Sequence, residues 1–142
     1  MQVKDIMCRQ TVSIAPEASV ASAARLLARQ NIGALPVCSA DGRLRGIVTD
    51  RDIVLRCVAA DESPAELAVR DVMTRRLICA APEDPVALAM GQMTREQVRR
   101  LPVTENGRLV GMLGLSDLTA RSASAMEAAA ALSGICQNVS RR

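Results

Sequence analysis

The sequence predicts an α+β (α/β) chain made of two tandem copies of one β-α-β-β-α unit. Three observations point there: a block pattern that recurs through the chain, two glycine turns set between β-prone runs, and apolar stripes at helical spacing. Val3-Lys4-Asp5-Ile6-Met7 recurs as Val69-Arg70-Asp71-Val72-Met73, an offset of 66 residues. Ala15-Pro16-Glu17 recurs as Ala81-Pro82-Glu83, and Leu35-Pro36-Val37 as Leu101-Pro102-Val103, at the same offset. One residue is then lost in a turn and the offset becomes 65, which pairs Asp41-Gly42-Arg43-Leu44 with Asn106-Gly107-Arg108-Leu109, Gly46 with Gly111 and Asp52 with Asp117.

Each copy opens on a short β-prone run, residues 11–14 and 77–80. A helix follows. In the first copy Ser19 is the expected N-cap and Val20, Ala23, Ala24 and Leu27 form the apolar stripe. In the second, Asp84 is the expected N-cap with Pro85 at the first helical position. Two strands come next, residues 34–38 and 44–49 around Asp41-Gly42, then 101–104 and 109–114 around Asn106-Gly107. A second helix starts near Arg51 and near Ser116. In the connector Ser63, Pro64 and Glu66 form a capping-box pattern that predicts a short helix. The predicted boundaries are 1–60 for the first copy, 61–68 for the linker and helix entry, 69–121 for the second copy, and 122–142 for an Ala-rich helical tail that Gly134 stops.

Composition narrows the function. The chain of 142 residues has no Phe, Tyr or Trp, so Ala, Val, Leu, Ile and seven Met residues must fill the core, Met7 and Met73 among them. It has no His, which removes the commonest general acid/base and metal ligand, and with it a Ser-His-Asp or Cys-His nucleophile. An enzyme is therefore not expected. The five cysteines, Cys8, Cys38, Cys57, Cys79 and Cys136, include no C-x-x-C pair, so neither a disulfide framework nor a metal site is expected. A net charge of +3 permits anion binding without itself arguing for nucleic acid, and the lack of stacking aromatics and of a strongly basic face argues against it. No apolar run reaches the length of a signal peptide or a membrane span, so no membrane partner is expected and the expected location is the cytoplasm.

Residues 32–37, Ile-Gly-Ala-Leu-Pro-Val, followed by Gly46-Ile47-Val48-Thr49-Asp50-Arg51-Asp52, resemble a CBS domain, the cystathionine β-synthase domain, and the two copies resemble a Bateman module over about residues 3–120. The resemblance implies a pseudo-twofold pair with hairpin sheets packed face to face, and an inter-repeat cleft that takes AMP, ADP, ATP, S-adenosylmethionine or NAD(H). It also implies a homodimer acting on an effector protein, in the manner of stand-alone family members.

The residues themselves suit such a ligand. Thr49-Asp50-Arg51-Asp52 falls where a strand gives way to a helix, and backbone N–H groups there suit phosphate. Thr49 adds a hydroxyl donor and Arg51 a forked cation. Asp52, acceptor-only when ionised, matches two neighbouring ribose hydroxyls. By the resemblance, one pocket combines Thr49 and Asp52 with Met73, Ile78, Val98 and Arg99. The other combines Ser116 and Asp117 with Met7, Val12, Ile32 and Gly33. The second motif has Gly114 where the first has Thr49. A hydrogen bond to a charged group is worth about 1.5–3 kcal/mol, so the Asp52 pocket is expected to bind phosphate about tenfold more tightly or better.

Plainer readings stand beside these. Asp52 and Asp117 both suit helix capping, Arg99 suits a charged strand edge, and Gly46 and Gly111 suit close sheet packing. The competing function is a structural, dimerising module whose pockets carry no ligand.

Overall fold

The computed structural model describes residues 1–121; the expected tail, with Cys136, lies outside the described residues. The chain divides into two compact units: Val12–Leu77, and Met1–Thr11 together with the described residues from Ile78 onward. The two cuts, before Val12 and before Ile78, fall at equivalent places in the duplicated pattern. Each unit is thus a hairpin and its helices joined by the opening segment of the other copy.

In the unit Val12–Leu77, helix α1 spans Val20–Gln30, strands β1 and β2 span Ala34–Cys38 and Leu44–Thr49, and α2 spans Asp50–Ile53. A π-helical turn over Val54–Val58 extends α2, and a short α3 covers Val69–Val72. Ser19 caps α1, its Oγ accepting the Ser22 N–H at 3.1 Å. Asn31 ends the helix with a left-handed φ of 53°. Val20, Ala23 and Leu27 of α1 pack on Leu35, Val37 and Val48 of the hairpin and on Val69 and Val72 of α3, all of them buried. Each Val or Leu among them contributes about 1.5–3 kcal/mol by leaving water.

The other unit repeats the plan. A 3-10 turn covers Val3–Asp5, helix α4 spans Val86–Glu96, strands β3 and β4 span Arg100–Glu105 and Arg108–Gly114, and α5 spans Leu115–Arg121. Val86, Ala89, Met90 and Met93 meet Leu101, Val103, Leu113, Val3, Ile6 and Met7 in its core. Methionine takes the bulk that aromatics would otherwise supply.

Both sheets are antiparallel pairs in matching register, Leu35 opposite Val48 and Leu101 opposite Leu113. The missing residue of the second copy is in the turn. Ser39 N–H bonds Arg43 O at 2.9 Å around a three-residue loop closed by Gly42 at φ 85°. In the second hairpin Glu105 pairs with Arg108 around Asn106 and Gly107, both at positive φ, the conformation a two-residue turn needs.

Three local expectations are corrected. The opening β-run of each copy is reduced to one parallel bridge, Ile14 with Val37 and Ala80 with Val103. Pro16 and Pro82 follow two residues later and cannot donate to a ladder. Asp84 does not cap α4: its Oδ2 accepts the Ala81 N–H at 2.8 Å, closing a turn, and Pro85 is the N-cap. The Ser63 pattern yields only one turn, with Glu66 and Leu67 N–H bonded to Ser63 O, and the helix that follows begins at Val69.

Each hairpin carries a second neighbour on its other edge. Thr74 bridges Ile47 through backbone bonds of 2.8 and 3.0 Å, and Cys8 bridges Met112 through bonds of 2.8 and 2.9 Å. These crossings explain the paired glycines. A Cβ on Gly46 would stand 2.7 Å from Thr74 O, and one on Gly111 would stand 2.8 Å from Met7 Sδ and 3.0 Å from Cys8 O. Gly46→Ala is expected to destabilise the protein by about 1–3 kcal/mol in a denaturant melt, the usual cost of overpacking, and Gly111→Ala by less, since a Met side chain yields more readily than backbone.

Candidate functional site

The end of β2 and the start of α2 form one junction. Thr49 is the N-cap: its Oγ1 accepts the Asp52 N–H at 3.0 Å, and the Asp52 Oδ2 accepts the Thr49 N–H at 3.0 Å. This is a reciprocal capping box, and it places Asp52 at only 8% exposure. A carboxylate taken out of water must be hydrogen-bonded. The Thr74 hydroxyl donates across both oxygens, at 3.2 Å to Oδ1 and 3.3 Å to Oδ2. The Arg56 guanidinium lies 3.7 Å from Oδ1 and also donates to Val72 O at 2.8 Å and Met73 O at 3.2 Å. The cap uses the Thr49 oxygen as an acceptor, so its hydroxyl proton is left to donate elsewhere.

The second copy builds half of this. Gly114 N–H donates to Asp117 Oδ2 at 2.8 Å, but Gly114 has no hydroxyl to return the bond. The junction before it is otherwise alike: Asp50 N–H bonds Gly33 O, and Leu115 N–H bonds Arg99 O, both at 3.1 Å. Cys8 occupies the position equivalent to Thr74, and its Sγ contacts Gln10 O at 3.4 Å.

The expected site residues fall as follows. Thr49, Arg51, Asp52 and Met73 lie in the unit Val12–Leu77 with Val12, Ile32 and Gly33; Met7, Ile78, Val98, Arg99, Ser116 and Asp117 lie in the other. Each expected pocket set is therefore divided between the units. Thr49 and Asp52 are in direct contact. Met73 is buried against Gly46, and Met7 against Gly111. Val12 and Ile32 pack at the edge of one core, Ile78 and Val98 at the edge of the other. Arg51, Arg99 and Ser116 are exposed. Both aspartates cap helix starts, as the plainer reading held, and a cap of this kind still leaves lone pairs for a ligand.

Thr74 and Arg56 were not found from sequence. Arg56 had a signal, the i,i+4 spacing from Asp52 that recurs between Asp117 and Arg121. Thr74 had none, being 22 residues away from Asp52 along the chain.

Among the described cysteines Cys57 is buried, Cys38 and Cys79 are partly buried and Cys8 is exposed, where the sequence reading expected buried thiols. Burial pushes the Cys38 thiol up, with Ser13 partly opposing it, and burial pushes Cys79 up against an opposing bond from Thr104. The two pairs are equivalent with thiol and hydroxyl exchanged. Among the described residues no three His, Cys, Asp or Glu side chains gather as metal ligands. No described helix is long and apolar enough to cross a membrane.

A duplicated hairpin-and-helix unit with a capped acid at each strand-to-helix junction defines a tandem CBS pair. The CBS domain matches residues 3–59 and 69–124, and the chain belongs to the CBS-domain family. It is 36% identical to the CBS domain-containing protein YhcV of Bacillus subtilis, over 96% of this chain and 97% of that one. It is 31% identical to hypoxic response protein 1 of Mycobacterium tuberculosis, over 81% of this chain and 80% of that one. The crystal structure of Hypoxic Response Protein I, solved with two coordinated zinc ions, superposes with a TM-score of 0.79 at 30% identity over 85% of this chain and 98% of that one. The CBS domain pair of protein MJ0100, in complex with 5′-methylthioadenosine and S-adenosyl-L-methionine, gives 0.74 at 28% identity over 84% and 94%.

Two outcomes follow from this chemistry. Gly114→Thr is expected to stabilise the protein by about 1 kcal/mol, by completing the cap, because a Cβ there meets neighbours no closer than 3.5 Å. A thermal melt with no gain in Tm would contradict it. Iodoacetamide is expected to alkylate Cys38 and Cys79 more slowly than exposed Cys8 at pH 8, since raised thiols carry less thiolate; equal rates by peptide mass spectrometry would count against it.

Proposed function

We propose that this chain is a regulatory module, not an enzyme, that senses an adenosine-containing ligand (AMP, ADP, ATP, S-adenosylmethionine or NAD) and passes its occupancy to an effector protein in the cytoplasm. The working unit is the pair of copies, residues 1–60 and 69–121, joined by residues 61–68. The observation that carries this is Asp52, a buried carboxylate fixed by its own helix cap beside a hydroxyl, that of Thr49, with a proton to donate. A sugar diol needs fixed acceptors, and a phosphate needs donors at a helix start. Exposed Arg51 adds a cation within the same turn. The bound adenosyl ligands of the MJ0100 pair support the ligand class.

A second reading, a dimerising module, is favoured by Val54, Leu55 and Val58. They stand 54%, 50% and 63% exposed on the turn that extends α2, an apolar face suited to a second copy of the chain.

Calorimetric titration with AMP, ATP, S-adenosylmethionine and NADH separates the two. The sensor reading expects binding by at least one of them, loss of about tenfold or more in Asp52→Ala, and a smaller loss in Asp117→Ala. No heat from any of them, together with a dimer in solution that Val58→Asp breaks, would favour the structural module. A larger loss in Asp117→Ala would reverse the ranking of the two acids.

A further inference from the structure

The Thr74 hydroxyl lies against both oxygens of the Asp52 carboxylate. A vicinal diol engages a carboxylate with one hydroxyl on each oxygen, which requires the space between and in front of the two oxygens. The Thr74 Oγ1 straddles that space, 3.2 Å from Oδ1 and 3.3 Å from Oδ2 of Asp52. Oδ2 already accepts the Thr49 N–H at 3.0 Å, so little of its acceptor capacity is left while Thr74 is in place. We infer that the Thr74 hydroxyl is an internal competitor for the acceptor face of Asp52, which a ligand's diol must displace, so that Thr74 sets the affinity of this acid for sugar. The inference rests on the proposed reading of Asp52 as a diol acceptor.

Displacement is a local event. The Thr74 backbone is held to Ile47 by two bonds of the β-bridge, and Arg56 donates to the carbonyls of Val72 and Met73 just before it. The segment therefore stays put while the side chain turns to another staggered rotamer. The cap bond from Thr49 N–H remains and keeps the carboxylate aimed. The second copy carries the contrasting case. Cys8 takes the equivalent place, and a thiol is a weak donor, so Asp117 has no comparable hydroxyl rival from that position.

The bond from Thr74 is long and shared, and a hydrogen bond to a charged group of ordinary strength corresponds to about a tenfold change in an equilibrium constant. Calorimetry with adenosine, which offers the diol without phosphate, is the test. Thr74→Val, nearly isosteric, is expected to bind adenosine about threefold to tenfold more tightly than the wild type. Thr74→Ser, which keeps the hydroxyl, should match the wild type, and a thermal melt of each variant checks that it folds. Unchanged or weaker binding in Thr74→Val, while Asp52→Ala abolishes binding, overturns this inference and leaves the sensor reading intact. Unchanged binding in Asp52→Ala overturns this inference together with its premise that Asp52 accepts the diol, and no binding in the wild type and Thr74→Val alike overturns the sensor reading as well.

Discussion

The constraint on which the rest depends is the buried carboxylate of Asp52. An ionised acid at 8% exposure is costly unless its oxygens are satisfied, and the chain satisfies them from three directions. The Thr49 N–H fixes where β2 must end and α2 begin. The Thr74 hydroxyl and the Arg56 guanidinium require the 72–74 segment to lie along the edge of β2, which in turn requires a residue without a Cβ at Gly46. One acid thus ties together the strand end, the helix start and the segment opening the second copy. Because the Arg56 side chain is half-exposed, its ion pair adds little stability; its bonds to the Val72 and Met73 carbonyls matter more to local geometry.

Duplication supplied the scaffold twice, and the copies differ where chemistry is concentrated. The backbone devices match: the glycine under each edge crossing and the acid three residues into each junction. The side chains do not. Thr49 faces Gly114 in the correspondence, Thr74 faces Cys8, Asp50 faces Leu115, and Gly33 faces Arg99. The two junctions therefore share a shape and differ in donors and in charge, which suits two sites of unequal preference better than two equal ones.

Much of this was legible in the sequence because it is local. The hairpins were readable from Asp41-Gly42 and Asn106-Gly107, since the turns hold Gly42, Asn106 and Gly107 at positive φ, which glycine and asparagine adopt most readily. A capping role for Asp52 was readable from an acid at a helix start, whereas the part of Thr49 as the N-cap emerges only from the structure. The exchange of opening segments was not. That Thr74 lies against Asp52, and Cys8 against Met112, depends on pairings between distant stretches that leave no periodic mark. Asp84 misled because an acid before a proline suits a turn as well as a helix cap, and the turn with Ala81 prevailed. The opening strands were overread because β-prone residues form a ladder only when the chain runs straight long enough, and a proline two residues on ends it.

The central claim is that a fixed acid in this fold reads a sugar diol. The most direct measurement compares adenosine with 2′-deoxyadenosine and 3′-deoxyadenosine by calorimetry on the wild-type protein. Loss of about tenfold or more on removing either hydroxyl is the predicted result. Equal affinity for all three would contradict it and leave Asp52 as a helix cap alone.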